Sequence, residues 1–327
     1  MLKITKLSDA TNKEWDYAWD GCNYATFFHS REWFDIWSKY TNGNISPCPK
    51  IVLFSDGAKA VLCLSSRKIN RGLSFEYVSS PASTYGGWVS SDPLNREHTL
   101  LLTNKMTSLG NLAWRINPFS DFTLKTMRQG VKNDFTHAIE LDLGFDSVAK
   151  MWSKGHRAAP RQAEKLGLTV RLARSLDDWK AYYKVYLDSI RRWGDTTTSC
   201  YSFKIFEIMF RTNLSGIKLW LADCSETVVA GAICLYSKSH VVYWHGAALE
   251  SHFQMRPTNL LMRDAIKDAC ECGYKWFDFN PSGGHEGVAA FKRSFGTKEF
   301  SCPVVSTKTF ITNKICAVKT FLEFFSK

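Results

Sequence analysis

Short motifs for metal, nucleotide and nucleophile sites are missing from this sequence. Its 327 residues contain no pair of CxxC motifs, no Walker-type glycine loop and no nucleophile–histidine–aspartate string. Gly283, Gly284 and Gly287 have neither the spacing nor the strand–helix context of a dinucleotide-binding fingerprint. The sequence therefore argues against zinc, P-loop and dinucleotide chemistry, and we expect no bound metal or cofactor.

Long apolar runs are also missing. No window reaches the length of a membrane-spanning helix, and the N-terminal stretch MLKITKLSDATNKEW has no signal-peptide core. Low-complexity tracts and short repeats are not found either. We therefore expect a folded cytoplasmic protein. Its ten cysteines are scattered, and those inside apolar runs, such as Cys63 and Cys234, predict reduced core thiols.

Acidic residues are fewer than basic ones. The sequence has 31 acidic and 42 basic residues, a net charge of +11 and a pI near 9.1. This balance favours a polyanionic partner, namely tRNA, a nucleotide-linked precursor, a CoA-type donor or an anionic membrane face, although solubility alone also explains it. An apolar content of 45% with 14% aromatic residues supplies a packed core, and the length suits two domains or one large domain.

The most informative stretch is YKWFDFNPSGGHEGVAAFKRSFGTKEF, residues 274–300. It predicts an apolar strand, a glycine-rich turn and a short helix in which Phe291 and Phe295 lie one turn apart. Lys292 and Arg293 lie between these rings, which predicts a cationic pair held at a strand–helix corner. The alternative is that the two rings belong to the core and the two cations are solvated.

A basic stripe precedes this region. Residues 146–166 predict a helix with one interruption, and Pro160 is the residue expected to break or kink it. Five basic residues fall on one face of that helix: Lys150, Lys154, Arg157, Arg161 and Lys165. The stripe indicates either an anion-binding surface or a solvated helix face.

The second half of the chain has a definite order of predicted elements. A strand and two helices precede three strands at 217–223, 228–236 and 240–248, which predict an antiparallel meander. A helix after Pro257, a strand at 275–280, a short helix and a last strand follow. This order resembles the GNAT acyltransferase fold, an α/β fold with a mixed sheet.

Five groups of residues extend the resemblance to the FemABX-type proteins. In chain order they are Pro81, Tyr85, Gly86 and Gly87; His156 and Arg157 with Arg161–Gly167; Arg256, Pro257, Asn259, Leu260 and Leu261; Gly273, Phe277, Asp278 and Phe279; and Gly287, Val288, Phe291, Lys292, Phe295 and Gly296. Pro160 departs from the family pattern, which runs as a helix through the basic segment.

The resemblance implies two tandem GNAT-like domains. The first would span 1–145 and be joined by a C-terminal helix at 306–327, and the second would span 146–305 and carry the transfer site. FemABX members transfer amino acids from charged tRNA to peptidoglycan precursors, and related groups are labelled acetyltransferases. The resemblance therefore implies an enzyme that forms an amide bond on an amine of a cell-envelope precursor.

The resemblance also implies roles for individual residues. Transfer would take place where the strands at 240–248 and 275–280 separate, with Lys292 close to the donor ester and His245 or Asp278 as candidate bases. By strand alternation Tyr243 and His245 share one face. The other implied substrate contacts are Tyr85, Gly86, Gly87, Arg31, Trp33, Tyr243, Asn259 and Arg293. The implied donor contacts, made to phosphates, are Lys154, Arg157, Arg161 and Lys165.

The donor and the acceptor stay open at the level of sequence. An acyl-CoA or acyl-carrier-protein donor with a sugar or polysaccharide amine is the second interpretation, and a non-catalytic protein that binds tRNA or a nucleotide precursor is the third. The turn Gln254–Asn259 contains no glycine and Pro257 lacks an N–H group, which favours charged tRNA over acyl-CoA as co-substrate. A nucleotide- or lipid-linked precursor would add peripheral contact with the inner face of the plasma membrane. DNA is not expected as a partner.

Overall fold

The computed structural model describes residues 1–69, 72, 74–120, 131–194 and 200–307. The C-terminal helix predicted over 306–327 falls, from residue 308 onward, outside these residues. The chain forms two compact units, of which the first comprises Met1–Asp134 with the described residues from Ser301, and the second comprises Phe135–Phe300. The strand at Phe135–Glu140 lies in the second sheet, not in the first domain as predicted, because it pairs with Trp276–Asp278.

The first unit is a mixed sheet covered by helices. Its helices are α1 (Asn12–Gly21), α2 (Arg31–Tyr40) and α3 (Arg96–Thr107). Its strands are β1 (Ile4–Asp9), β2 (Ile45–Pro47), β3 (Lys50–Phe54), β4 (Lys59–Cys63), β5 (Ser65–Ile69), β6 (Ser74–Val78), β7 (Tyr85–Val89), β8 (Leu112–Ile116), β9 (Val131–Lys132) and β17 (Val304–Thr307). The order is β1-β3-β4-β7-β8-β6-β5-β2, and β17 pairs with β8 and β9.

The second unit has a seven-stranded mixed sheet. Its strands are β10 (Phe135–Glu140), β11 (Leu168–Leu172), β12 (Ile217–Cys224), β13 (Thr227–Ser237), β14 (His240–Ala248), β15 (Trp276–Asp278) and β16 (Lys298–Ser301), in the order β11-β12-β13-β14-β15-β10-β16. Its helices are α4 (Phe145–Met151), α5 (Lys154–Lys165), α6 (Leu176–Trp193), α7 (Phe203–Thr212), α8 (Pro257–Glu271) and α9 (Glu286–Arg293). Strands β12 to β14 form the predicted antiparallel meander.

Two groups of helices cover this sheet. Helix α6 packs on β13, β14 and α7, whereas α8 packs on β12, β13 and α5. The apolar residues between the sheet and α8 form one continuous cluster that includes Trp152, Phe277, Phe279 and Phe295. Because β10, β15 and α9 meet at the border of this cluster, it is the scaffold for the strand–helix corner that contains Lys292.

The predicted long helix over 146–166 is two helices. The break lies at Trp152 and Ser153, where the Ser153 hydroxyl caps α5 by accepting from the His156 N–H group. Pro160 lies inside α5 and is buried, so the prediction that it breaks the helix is wrong. The missing N–H group of Pro160 removes one backbone hydrogen bond, and the helix nevertheless continues to Lys165.

Within the described ranges, no helix combines the length and the apolar character needed to cross a membrane.

Candidate functional site

Strands β14 and β15 part after three residue pairs. Their parallel pairing ends at Val242 and Asp278, because β15 stops there while β14 continues to Ala248. The chain then turns at Asn280, which has a positive φ of 61°. Beyond Asp278 a gap therefore opens between β14 and the chain that follows β15. This is the region where the sequence predicts the transfer site.

A β-bulge lies beside this gap. Ile233 pairs with His245 and Cys234 pairs with Tyr243, so Trp244 is the extra residue on β14. Ile233 and Cys234 are neighbours on β13, so their side chains point to opposite faces of the sheet. Their partners His245 and Tyr243 therefore also point to opposite faces. The prediction that they share one face is wrong, because the bulge interrupts the alternation.

His245 lies among aromatic rings of α6 and α7. Its Nδ1 atom is 2.5 Å from the Tyr182 hydroxyl, and its ring is 4.5 Å from Tyr186 and 5.4 Å from Phe206 between centroids. Loss of hydration there lowers its pKa to about 3. Taking a proton from an amine of pKa near 8 would then cost about 7 kcal/mol, so the environment of His245 does not suit a general base.

Asp278, the other candidate base, is fully buried. Its Oδ1 atom accepts hydrogen bonds from the Thr136 hydroxyl at 2.6 Å and from the Asn280 N–H group at 2.9 Å. These bonds tie β10 to β15 and fix the turn after β15. The carboxylate therefore shapes the turn on which Lys292 is held.

Lys292 is buried at the end of α9, with 4% of its surface exposed. Its ammonium donates a hydrogen bond of 2.6 Å to the Asn280 carbonyl oxygen, at the edge of the gap. Arg293 on the next position is exposed and forms an ion pair with Glu286. The two cations therefore differ: Lys292 is held at the corner, while Arg293 is a solvated surface group.

An aromatic cluster supports the backbone of α9. Phe295 is fully buried, with centroid distances of 5.1 Å to Trp152, 5.0 Å to His156 and 5.1 Å to Phe291. Phe291 is half-buried and lies 5.4 Å from His156. The predicted pair of aromatic anchors on either side of Lys292 is therefore present.

We expect Phe291→Ala to lower the free energy of unfolding by about 2 kcal/mol, roughly half the loss for a fully buried phenylalanine. Chemical denaturation measures this change. Val288→Ala is the control, since Val288 is an exposed apolar residue one turn earlier on α9. An equal effect of the two substitutions would contradict the anchoring role of Phe291.

Helices α4, α5 and α8 enclose a basic cleft of about 970 Å³. Seven basic and three acidic side chains line it, and the four implied donor contacts, Lys154, Arg157, Arg161 and Lys165, are among them. All four are exposed, and none forms an ion pair with another described residue. By contrast, Glu164 on the same helix is bound by Arg263 at 2.6 Å. These four cations therefore carry positive charge that no acidic side chain in the described part of the chain pairs with.

In the first unit, the residues that the resemblance assigns to the acceptor are mostly buried in the core. Tyr85 is fully buried, and a Cβ atom on Gly86 would lie 2.4 Å from the Ser79 carbonyl oxygen. Gly87 has a φ of +129° and would place a Cβ atom 3.3 Å from the Trp114 ring nitrogen. Close packing of β7 is therefore sufficient to explain both glycines.

Arg31 and Trp33 begin α2. Trp33 is fully buried and donates a hydrogen bond of 3.2 Å to the Thr84 hydroxyl. Arg31 is surrounded by three carboxylates, those of Asp16, Glu32 and Asp35, at 3.0 to 3.3 Å. Hydrogen bonding to Asp16 raises the pKa of Arg31. The charge of Arg31 is therefore neutralised locally, unlike that of the basic cleft.

Asn259 lies in the first turn of α8 and is 7% exposed. Its side-chain nitrogen has no hydrogen-bond partner in the described part of the chain. Arg256 before it adopts a left-handed conformation with φ of 60° and is exposed. A buried amide without a partner is costly, so this turn is a second polar feature near the cleft.

Sequence reasoning missed two residues beside the gap, Thr136 and His137. Thr136 binds Asp278, and His137 is buried next to α9. Alternation along β10 predicts that they face opposite sides of a strand. Both residues lie at the site because β10 pairs with β15, and no local sequence pattern predicts this pairing.

The comparisons agree with this architecture. Residues 153–293 match the family model described as an acetyltransferase (GNAT) domain. No curated protein matches the chain. The crystal structure of FemX superimposes with a TM-score of 0.67 at 15% identity, covering 91% of this chain and 97% of FemX.

Two further structures share the fold over almost the whole chain. The C-terminal domain of a putative lysylphosphatidylglycerol synthetase from Agrobacterium fabrum has a TM-score of 0.57 at 11% identity, covering 95% of this chain and 98% of that domain. L-PGS from Bacillus licheniformis has a TM-score of 0.57 at 11% identity, covering 95% of this chain and 97% of that structure. At these identities the likeness shows the fold.

The predicted resemblance and fold class are therefore confirmed. The chain shares the tandem α/β fold of FemX, and residues 153–293, within its second unit, match the GNAT acetyltransferase domain model.

Proposed function

We propose that this acyltransferase moves an aminoacyl group from charged tRNA to an amine of a cell-envelope precursor. The observation that carries the proposal is the basic cleft, in which Lys154, Arg157, Arg161 and Lys165 are exposed and form no ion pair with another described residue. A polyanionic donor supplies the charge that the cleft lacks. The donor acts as a co-substrate, and the cell-wall or lipid-linked acceptor is proposed from the resemblance to FemX and L-PGS.

The strand–helix corner supports the chemical step. An ester or thioester donor is already activated, so the protein must mainly align the two substrates and stabilise the negative charge that develops on the carbonyl oxygen. Lys292 presents a fixed ammonium at the edge of the gap between β14 and β15. An α-amine has a pKa of about 7.7–8.0, so part of it is neutral without a general base.

The start of α8 argues against a CoA donor. A pyrophosphate is normally bound by several free backbone N–H groups at a helix start. Pro257 has none, the Arg256 N–H group donates to the Phe253 oxygen, and the N–H groups of Asn259 and Leu260 donate to the Arg256 oxygen. The turn therefore offers fewer N–H groups than a pyrophosphate needs, although exposed Arg256 suits a single phosphate.

The second candidate function is N-acylation of a sugar or polysaccharide amine by acyl-CoA or an acyl-carrier protein. The observation that favours it is the match of residues 153–293 to the GNAT acetyltransferase model. A protein that binds tRNA or a nucleotide precursor without turnover is a third candidate, and the retained Lys292 corner disfavours it.

Calorimetry in low salt separates the first two candidates. We expect the protein to bind charged tRNA and to show no micromolar affinity for acetyl-CoA, because the cleft is basic and the α8 turn offers fewer free N–H groups than a pyrophosphate needs. Uncharged tRNA measures the share of affinity due to phosphates alone. Tight binding of acetyl-CoA with no binding of tRNA would reject the first candidate in favour of the second.

A further inference from the structure

His137 is a buried histidine whose ring forms no hydrogen bond with the described residues. It lies on β10 with 3% of its surface exposed, and neither Nδ1 nor Nε2 has a hydrogen-bond partner among the described residues. A buried imidazole in this state costs free energy, so packing alone is a poor reason for a histidine at this position. The position lies ahead of the segment that matches the GNAT family model.

The backbone connects His137 to the Lys292 corner. The His137 carbonyl oxygen accepts a hydrogen bond of 2.9 Å from the Phe279 N–H group, and the next residue, Asn280, holds the Lys292 ammonium through its own carbonyl. By alternation the His137 side chain points away from Thr136, toward the face on which α9 packs. The ring and the ammonium therefore share one side of β10.

Charged groups reach His137 from two of the elements that pack against β10. Helix α9 contributes Lys292, Arg293 and Glu286, and β16 contributes Glu299, whose Oε2 atom is 3.8 Å from Nε2. On β15, Asp278 bonds to Thr136 on the opposite face. Burial, and after it the charge of Lys292, lowers the pKa of His137, so the ring is neutral at neutral pH.

We propose that His137 is a positioning residue for Lys292. While the ring is neutral, the ammonium stays at the Asn280 carbonyl. When the ring gains a proton, two cations lie on the same side of β10, they repel each other, and the ammonium withdraws from the edge of the gap. His137 thus sets the lower pH limit at which Lys292 is held for transfer. Only this last consequence rests on the proposed function.

NMR titration of the histidine rings tests the coupling without any substrate. The His137 signal is identified by its loss in His137→Gln. In Lys292→Met we expect the pKa of His137 to rise by about one pH unit, because a neighbouring cation is removed. Lys298→Met is the matched control, since Lys298 is an exposed lysine on β16 that binds Glu140 at 2.9 Å. An unchanged His137 titration in Lys292→Met would overturn the proposal.

The reciprocal measurement keeps the test valid if Lys292→Met does not fold. In the wild-type protein the Cε signal of Lys292 should change as His137 gains its proton, and His137→Gln should remove that change. A Lys292 signal that follows the same acid transition in both proteins would also overturn the proposal. In a transfer assay, His137→Gln should retain activity at the acidic pH values at which the wild type loses it through protonation of His137. Absence of transfer activity would count against the proposed function and leave the NMR result intact.

Discussion

Lys292→Met reduces turnover by about 10²- to 10³-fold and leaves the protein folded. This is the expected loss when one group that stabilises a developing oxyanion is removed. The methionine side chain fills the space of the lysine stem, so the packing around Phe295 is kept. The Asn280 carbonyl loses its donor, which costs about 1–2 kcal/mol of stability. Single-turnover transfer from the donor identified by calorimetry, together with chemical denaturation, measures both quantities.

Two controls make this result specific. Lys150→Met removes a lysine of the basic cleft by the same substitution and should weaken donor binding with little change in the maximal rate. Arg293→Met removes the neighbouring, ion-paired cation and should change the rate by less than about threefold. Near-normal turnover by folded Lys292→Met would exclude Lys292 from the chemical step.

Local sequence patterns predicted the elements of the second unit well. The spacing of Phe291 and Phe295 places two rings one turn apart on any helix, and the structure has them at 5.1 Å. Likewise, three apolar runs with turn residues between them formed the antiparallel meander β12 to β14. These features depend on neighbours in the chain, so composition and periodicity are sufficient to predict them.

The details of the site depend on partners that are distant in sequence. The alternation rule fails at Trp244, because a bulge adds one residue to β14, and no residue type marks that position. Pro160 is buried within α5, and the helix continues through it. His137 reaches the corner only because β10 is paired with β15. Sequence therefore predicted which helix bears the key lysine but not which buried groups surround it.

Charge pairing separates two kinds of basic residue that the sequence presents alike. The family resemblance implies a substrate contact for Arg31 and a donor-phosphate contact for Arg157. The structure surrounds Arg31 with three carboxylates, whereas the one side-chain hydrogen bond of Arg157 to the described residues is a long contact of 3.5 Å with the Lys150 carbonyl. A cation that is already paired adds little attraction for a polyanion, because its field is cancelled nearby. The basic cleft is therefore the stronger candidate for phosphate contact.

Replacing both Arg157 and Arg161 with glutamine weakens binding of charged tRNA roughly 10- to 100-fold at moderate salt and lowers the slope of log K against log[salt] by about 1–2. The reason is that each cation in contact with a phosphate releases a condensed counterion. Both side chains are exposed, so the free energy of unfolding should change by less than about 1 kcal/mol. The double variant Arg96→Gln and Arg174→Gln removes the same net charge outside the cleft, at two exposed positions that form no ion pair with another described residue. This control should lower the affinity for charged tRNA slightly and leave the slope of log K against log[salt] unchanged. Equal slopes in the two double variants would show that only net charge attracts the donor and that the cleft is an ordinary solvated surface.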